Sequence, residues 1–224
     1  MKPPFQIAVF VSGSGTNLQA LLDRFPAASG RAAQVSRVVA SRPGIGAIAR
    51  AEQAGVPWSV LPAGVDSDSL AEAMLTELEL AQADLLVLAG FLKLIPEAVV
   101  RSHRGRILNI HPALLPAFGG PGMYGRRVHE AVLASGARIS GATVHVVDEQ
   151  YDHGPIVAQW PVPVLESDDA DTLAARVLEV EHRLLPDVVE AFATGDLTTD
   201  PAGRPEWKRP LFPDDRFALV PPKS

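Results

Sequence analysis

The sequence predicts an α/β protein with a doubly wound, mostly parallel sheet in a single domain, and three observations carry that prediction. Short apolar, β-branched runs alternate with stretches whose apolar residues recur every three or four positions, the pattern of strands joined by crossover helices. Asp84 to Ala89, DLLVLA, is almost continuously apolar, as expected of a central strand covered by helices on both faces. Glycine and proline punctuate the boundaries. With 224 residues, 47% of them hydrophobic and 21% charged, the chain can bury a sizeable core. A chain of this length typically removes roughly 70% of its unfolded surface from water.

Taken in order, Ile7 to Val11 reads as the first strand, stopped by Ser12-Gly13-Ser14-Gly15, after which Leu18, Leu21, Leu22 and Phe25 follow at helical spacing. Val35 to Ala40 is a second strand, Ser41 to Gly46 a loop, Ala47 to Ala54 a helix ended by Gly55, and Trp58 to Leu61 a third strand. Asp66 or Ser67 can cap a helix running to about Leu80, because a short polar side chain accepts from the open amides of a first turn. The apolar strand at 84–89 precedes a short helix near Pro96 to Arg101 and a strand from Arg106 to Ile110, halted by His111-Pro112. Pro112 to Gly125 reads as a loop and Val128 to Ala134 as a helix. Ala142 to Val147 and Ile156 to Val164 read as strands. Pro161 and Pro163 suit the second of these to an edge, since proline cannot donate to a ladder. Asp168 to Phe192 is a long helix with Leu173, Val177, Val180 and Leu184 along one face, and the proline-rich remainder reads as an irregular tail.

Composition removes several classes. The absence of cysteine excludes a disulfide scaffold, a thiolate zinc site and a cysteine nucleophile. A net charge of -6 argues against a broad nucleic-acid or anionic-membrane surface, while leaving room for a local basic site. No apolar stretch approaches the about 20 residues that a membrane span needs, and the start of the chain lacks a signal-peptide pattern. A soluble, cytoplasmic protein is expected.

Three segments carry chemistry. Ser12-Gly13-Ser14-Gly15-Thr16-Asn17 lies between a strand and a helix, where glycines permit close backbone approach and open amides attract a phosphate. It lacks the third glycine of the dinucleotide fingerprint and the lysine of the P-loop, and a simple reversing turn is the alternative. Asn109-Ile110-His111 ends an apolar strand; positions i and i+2 share a face about 7 Å apart, so the two side chains can converge on one ligand atom and polarise a carbonyl. A strand-end histidine satisfied within the fold is the alternative. Asp148 to Pro155 is an acidic loop, either a solvated turn or the source of a carboxylate that favours imidazolium at His111. His145, Asp148, Asp152 and His153 are metal ligands by type, but their spacing fits no zinc signature, so no metal is expected. His103 and His129 read as surface or capping residues, and Glu181-His182 on the long helix cannot both face one site.

Five segments in order, SGSGTNLQALL (12–22), VLAGFLKLIP (87–96), ILNIHPALLPAFGG (107–120), GATVHVVDEQYDHGPIVAQ (141–159) and RVLEVEHRLLP (176–186), resemble the phosphoribosylglycinamide formyltransferase family, the folate-dependent transformylases of purine synthesis. The resemblance implies a formyltransferase domain over residues 1–195, with a nucleotide-binding half at 1–100 and a catalytic and folate half at 101–195, followed by a tail at 196–224. It implies transfer of a formyl group from 10-formyltetrahydrofolate, a co-substrate, to the amine of glycinamide ribonucleotide, with no metal. Asn109, His111 and Asp152 match the catalytic residues, Gly15, Thr16 and Asn17 the phosphate loop, and Glu181 a ribonucleotide-binding glutamate. Leu92, Lys93, Leu94, Ile95 and the loop from Asp148 fall on the folate segment. Two departures stand out: Asp68 replaces an arginine that some members carry near the folate tail, and Gly119-Gly120 replaces Pro-Gly. Arg126 and Arg127 read as solvated residues at a helix start. A formyltetrahydrofolate hydrolase, a non-catalytic folate or nucleotide sensor, and an NADP-dependent oxidoreductase using Arg42 are the rival readings. The expected partners are the two small anions, without nucleic acid or membrane, in a monomer or homodimer.

Overall fold

The structure is a computed structural model describing residues 3–27 and 32–209. The chain divides into two compact units, Met1–Asn109 and Ile110–Ser224.

β1 (Phe5–Val11), β2 (Ala33–Ala40), β3 (Trp58–Val60), β4 (Leu85–Ala89) and β5 (Ile107–His111) run parallel in the order β3-β2-β1-β4-β5; the first unit holds them up to Asn109. The helices between them are α1 (Thr16–Arg24), α2 (Gly46–Gln53), α3 (Ser67–Ala81) and α4 (Glu97–Ser102). Because β1 and β4 are interior strands, both of their faces are covered, and Ile7 through Val11 and Leu85 through Val87 are fully buried. Phe10 meets Phe91 edge-on, with centroids 5.5 Å apart. Helix α3 starts at Asp66, whose carboxylate accepts from the Ser69 amide at 2.8 Å, as the capping argument requires. The chain runs outward from β1 through β2 to β3, then returns to the other side of β1 at β4. Loops 12–15 and 90–96 therefore leave the carboxyl ends of neighbouring strands at a topological switch point, where ligands bind in sheets of this kind.

The second unit holds α5 (Arg126–Ala134), β6 (Ile139–Val146), β7 (Ile156–Pro163) and α6 (Ala170–Thr194). β6 and β7 pair antiparallel, with Gly141 opposite Pro161 and Ile139 opposite Pro163. Asp169 and Thr172 form a reciprocal capping box at the start of α6, which contains Pro186 and ends at Gly195 in the left-handed conformation. The expected irregular tail begins instead with a two-stranded antiparallel ribbon, β8 (Leu197–Thr199) and β9 (Pro205–Trp207). Its turn is closed by Asp200, whose carboxylate accepts from the Ala202 and Arg204 amides at 2.9 Å each, and the Trp207 indole donates to the Val157 carbonyl at 3.3 Å. Three-residue strands are too short to show a period of two, so the ribbon leaves no pattern in the sequence. The rest of the proline-rich stretch, 210–224, lies outside the described residues.

Leu86→Ala, at a fully buried position of β4, is expected to lower unfolding free energy by about 2–5 kcal/mol in urea titrations. Leu165→Ala, at a 47% exposed position, is expected to stay within about 0.5 kcal/mol.

Candidate active site

Two groups of residues gather at loops. In the first unit, Gly15 is both the residue preceding α1 and a left-handed position, with φ of 77°, and it supplies no side chain to cap the helix. A Cβ there would stand 2.7 Å from Ala47 Cα, so geometry and space both require glycine. With no acidic residue in its first turn, α1 directs its amide end, beginning at Thr16 and Asn17, toward the loop as a donor set for an anion. Ser12, given no role of its own by the sequence, is buried, and its hydroxyl accepts from the Leu92 amide at 3.1 Å. That bond ties the glycine loop to the 90–96 segment. There Leu92 and Leu94 are 48% and 44% exposed on either side of Lys93, whereas Ile95 is buried in the core. Two exposed leucines beside a cation suit a ligand with an apolar body and an anionic end.

β5 carries Asn109 and His111 on one face, two residues apart. In the second unit, His111 is 3% exposed and its two ring nitrogens face different acceptors. Nε2 lies 2.9 Å from the Phe118 carbonyl, and Nδ1 lies 3.5 Å from Asp152 Oδ1. The same carboxylate oxygen is 3.6 Å from His145 Nε2, and Asp152 Oδ2 accepts from the Gly120 amide at 2.9 Å. His145 in turn places Nδ1 2.9 Å from the Val146 carbonyl, which orients the ring toward Asp152. The sequence groups His145 with Asp152 only as a ligand by type; the structure brings it to Asp152 as a partner of that carboxylate, a role the sequence does not assign. Thr143 holds the loop after β5, donating to the Ala113 carbonyl at 2.6 Å and accepting from the Leu115 amide at 3.1 Å. Asp152 and Phe118 both adopt positive φ, 53° and 57°, a strained conformation for non-glycine residues that the surrounding bonds sustain. At Gly119 a Cβ would lie 2.5 Å from Leu115 Cδ2 and 3.1 Å from Asp152 Cβ, so a larger residue there requires the Leu115 side chain to move.

The electrostatics differ from the sequence expectation in one respect. Burial pushes the His111 pKa below its ordinary value, and this outweighs the upward pull of Asp152 and of the Phe118 carbonyl. A nearby carboxylate is present as expected, but at 3.5 Å in a buried site it does not make His111 a resting imidazolium. For Asp152, burial acts to raise the pKa, yet the bond to His145, the His111 ring and the Gly120 amide together hold it below the ordinary carboxylate range. Asp152 is therefore an anion at neutral pH.

Asp148 accepts from the Gln150 amide at 2.9 Å and faces His153 Nδ1 at 2.6 Å, so its side chain shapes the loop that carries Asp152. Glu181 is 6% exposed on α6. His129 is buried rather than superficial, because α5 turns it inward with Val128 and Val132; burial lowers its pKa. His103 caps the C-terminus of α4. Arg126 and Arg127 have local partners rather than water alone: Arg126 pairs with Glu130 at 2.8 Å and with Asp171, and Arg127 lies 5.4 Å from the Tyr124 ring centroid. Asp68 sits in the exposed first turn of α3. Among the described residues no group of three or more His, Asp or Glu side chains could hold a metal, and no helix is long and apolar enough to cross a membrane.

The direction of the His111 shift sets a pH dependence. With a folded pKa below the ordinary histidine value of about 6.5, the unfolded chain takes the proton first, so stability is fully present above about pH 6.5 and is lost as pH falls toward the folded value. His111→Gln is expected to flatten the stability profile below that pH by up to about 1.4 kcal/mol per pH unit, one proton's worth. His103 and His129, also lowered by burial, leave a residual slope. Denaturant midpoints across that range for both proteins check it; an unchanged slope contradicts the assignment.

The family described as formyl transferase matches residues 5–189. A chloroplastic phosphoribosylglycinamide formyltransferase of Vigna unguiculata is 46% identical over 188 residues, 83% of this chain, which spans 60% of the Vigna protein's length. The Bacillus subtilis phosphoribosylglycinamide formyltransferase is 34% identical over 83% of this chain and 93% of its own. Among solved structures, glycinamide ribonucleotide transformylase 1 from Symbiobacterium toebii superposes with a TM-score of 0.82 at 34% identity, covering 92% of this chain and 95% of that one. The phosphoribosylglycinamide formyltransferase from Anaplasma phagocytophilum gives 0.81 at 32% identity, with the same coverage of both chains. These matches extend across both groups of residues, and the chain belongs to the formyl transferase family.

Proposed function

We propose that this protein transfers the formyl group of 10-formyltetrahydrofolate to the amine of glycinamide ribonucleotide, a step of purine synthesis. The observation that carries the reading is the buried His111 with the anionic Asp152 at its Nδ1, two residues beyond Asn109 on one strand, within the span the family matches. Gly15, Thr16 and Asn17 take the ribonucleotide phosphate, and Glu181 also holds the ribonucleotide. Leu92, Lys93 and Leu94 offer apolar surface and a cation to the formyl-folate; Ile95 and Asp148 support that site by fixing their segments.

The amine attacks the formyl carbon directly, which is consistent with a chain that has no cysteine. Negative charge then develops on the formyl oxygen. Asn109 and His111 donate to it, the His111 Nε2 proton exchanging the Phe118 carbonyl for the oxyanion. A depressed pKa leaves His111 uncharged until the attacking amine, made cationic as its bond to the formyl carbon forms, gives up the proton that makes the imidazolium; when the bond between that carbon and the folate nitrogen breaks, the proton passes to the folate nitrogen. Asp152, already ionised, stabilises the imidazolium at that moment and assists proton movement from the amine toward the folate nitrogen. Asp152 thus supplies its charge when the reaction creates demand for it.

Purified protein mixed with both substrates should release tetrahydrofolate, followed by absorbance, only when the ribonucleotide is present. Release without it indicates a hydrolase, and no release in either case overturns the reading. Asn109→Ala is expected to lower kcat by about 10² to 10³, the typical cost of one oxyanion donor, and His111→Ala by more. Near-normal turnover in either variant removes that residue from the chemistry.

A further inference from the structure

The glycine loop of the first unit rests on α2, a helix the proposed chemistry does not use. The Ala47 amide donates to the Gly13 carbonyl at 3.2 Å, and Gly46 is so close that a Cβ there would stand 3.1 Å from the Ser14 carbonyl oxygen. One turn further along, Arg50 reaches back to the loop. Its Nε donates to the Ser14 carbonyl at 2.9 Å and its Nη1 donates to Gln19 Oε1 at 3.0 Å. Gln19 has its amide orientation set from the other end, where Nε2 donates to Asp23 Oδ1 at 2.8 Å. The Arg50 stem also lies against the loop, with Cδ 3.3 Å from where a Gly15 Cβ would be. One guanidinium therefore grips the chain on both sides of Gly15 and Thr16, before the turn at Ser14 and within α1 at Gln19.

A loop of this composition is floppy by default, since glycine loses more conformational freedom on ordering than any other residue. Amides bind an anion well only when they already point at it. The planar fork of arginine can hold two acceptors at once in fixed relation, which a lysine ammonium on a flexible stem cannot reproduce. Its charge also adds to the field of the α1 amide end.

We infer that Arg50 is a positioning residue for the phosphate-bearing substrate: by bridging Ser14 and Gln19 it holds the Gly15 to Asn17 amides in the orientation that receives the phosphate. The inference rests on the reading of this loop as the phosphate site, but not on formyl transfer. It separates Arg50 from the groups that touch reacting atoms, so its loss should appear in substrate affinity and leave the chemical step alone.

The test uses the full chain with Arg50→Ala, Arg50→Lys and Gln19→Ala, measuring steady-state kinetics and, independently, calorimetric binding of ribose 5-phosphate. Arg50→Ala should raise KM for glycinamide ribonucleotide and Kd for ribose 5-phosphate by about tenfold each, the usual loss for one charged hydrogen bond. The kcat and the KM for formyl-folate should not change. Arg50→Lys, which keeps the charge but loses the fork, should recover only part of the loss, and Gln19→Ala should fall between wild type and Arg50→Ala. Arg50→Lys and Gln19→Ala keep the question answerable if Arg50→Ala fails to fold. Equal ribose 5-phosphate binding by wild type and variants overturns the inference, as does no binding by wild type. A fall in kcat with both KM values unmoved overturns it too. Arg50-dependent ribose 5-phosphate binding in a protein that does not formylate the ribonucleotide would sink the proposed activity and leave this inference standing.

Discussion

The carboxylate of Asp152 is the group around which the second unit is organised. One oxygen faces two imidazoles, His111 at 3.5 Å and His145 at 3.6 Å, and the other accepts from the Gly120 amide. A half-buried anion is costly unless donors surround it, and here three elements supply them: β5, β6 and the 118–120 loop. Removing water from the cluster depresses the pKa of His111 while the assembled donors keep Asp152 ionised. A second negative charge at the other ring nitrogen raises the proton affinity of this imidazole, and the fixed anion stabilises the imidazolium once a proton is taken up. The proposed oxyanion would make that electrostatic demand.

Such an arrangement needs the loops to be held, and the holding residues are ordinary ones. Thr143 and Gln159 together bind the backbone at Ala113 and Leu115, and Asp148 closes the turn that carries Asp152 in its positive-φ conformation. In the first unit Ser12 joins the glycine loop to the 90–96 segment, and α2 underlies that loop. The pattern is the same in both units, with a flexible segment fixed by a few side-chain to backbone bonds from a rigid neighbour.

Net charge proves to be the wrong scale for the proposed ligands. An acidic chain can receive small anions when helix amides and a few cations such as Lys93 are placed at the receiving loops, while its exterior discourages polyanions.

The sequence by itself determined the α/β class, the positions of nearly every strand and helix, and the segments proposed to carry the chemistry. Those features follow from local period, punctuation and motif order: a buried parallel strand must be apolar throughout, and a left-handed turn against a helix must be glycine. It also placed Asn109 and His111 on one face, because strand alternation is fixed by the backbone. Only the tertiary structure decided which side chains meet. His145 joins Asp152 through a strand register that no spacing announces, His129 turns inward, and the first residues of the tail pair into a ribbon whose strands are too short to be read. The protonation of His111 was likewise decided in three dimensions, since burial and a neighbouring carboxylate push in opposite directions and only the packed distances determine which prevails.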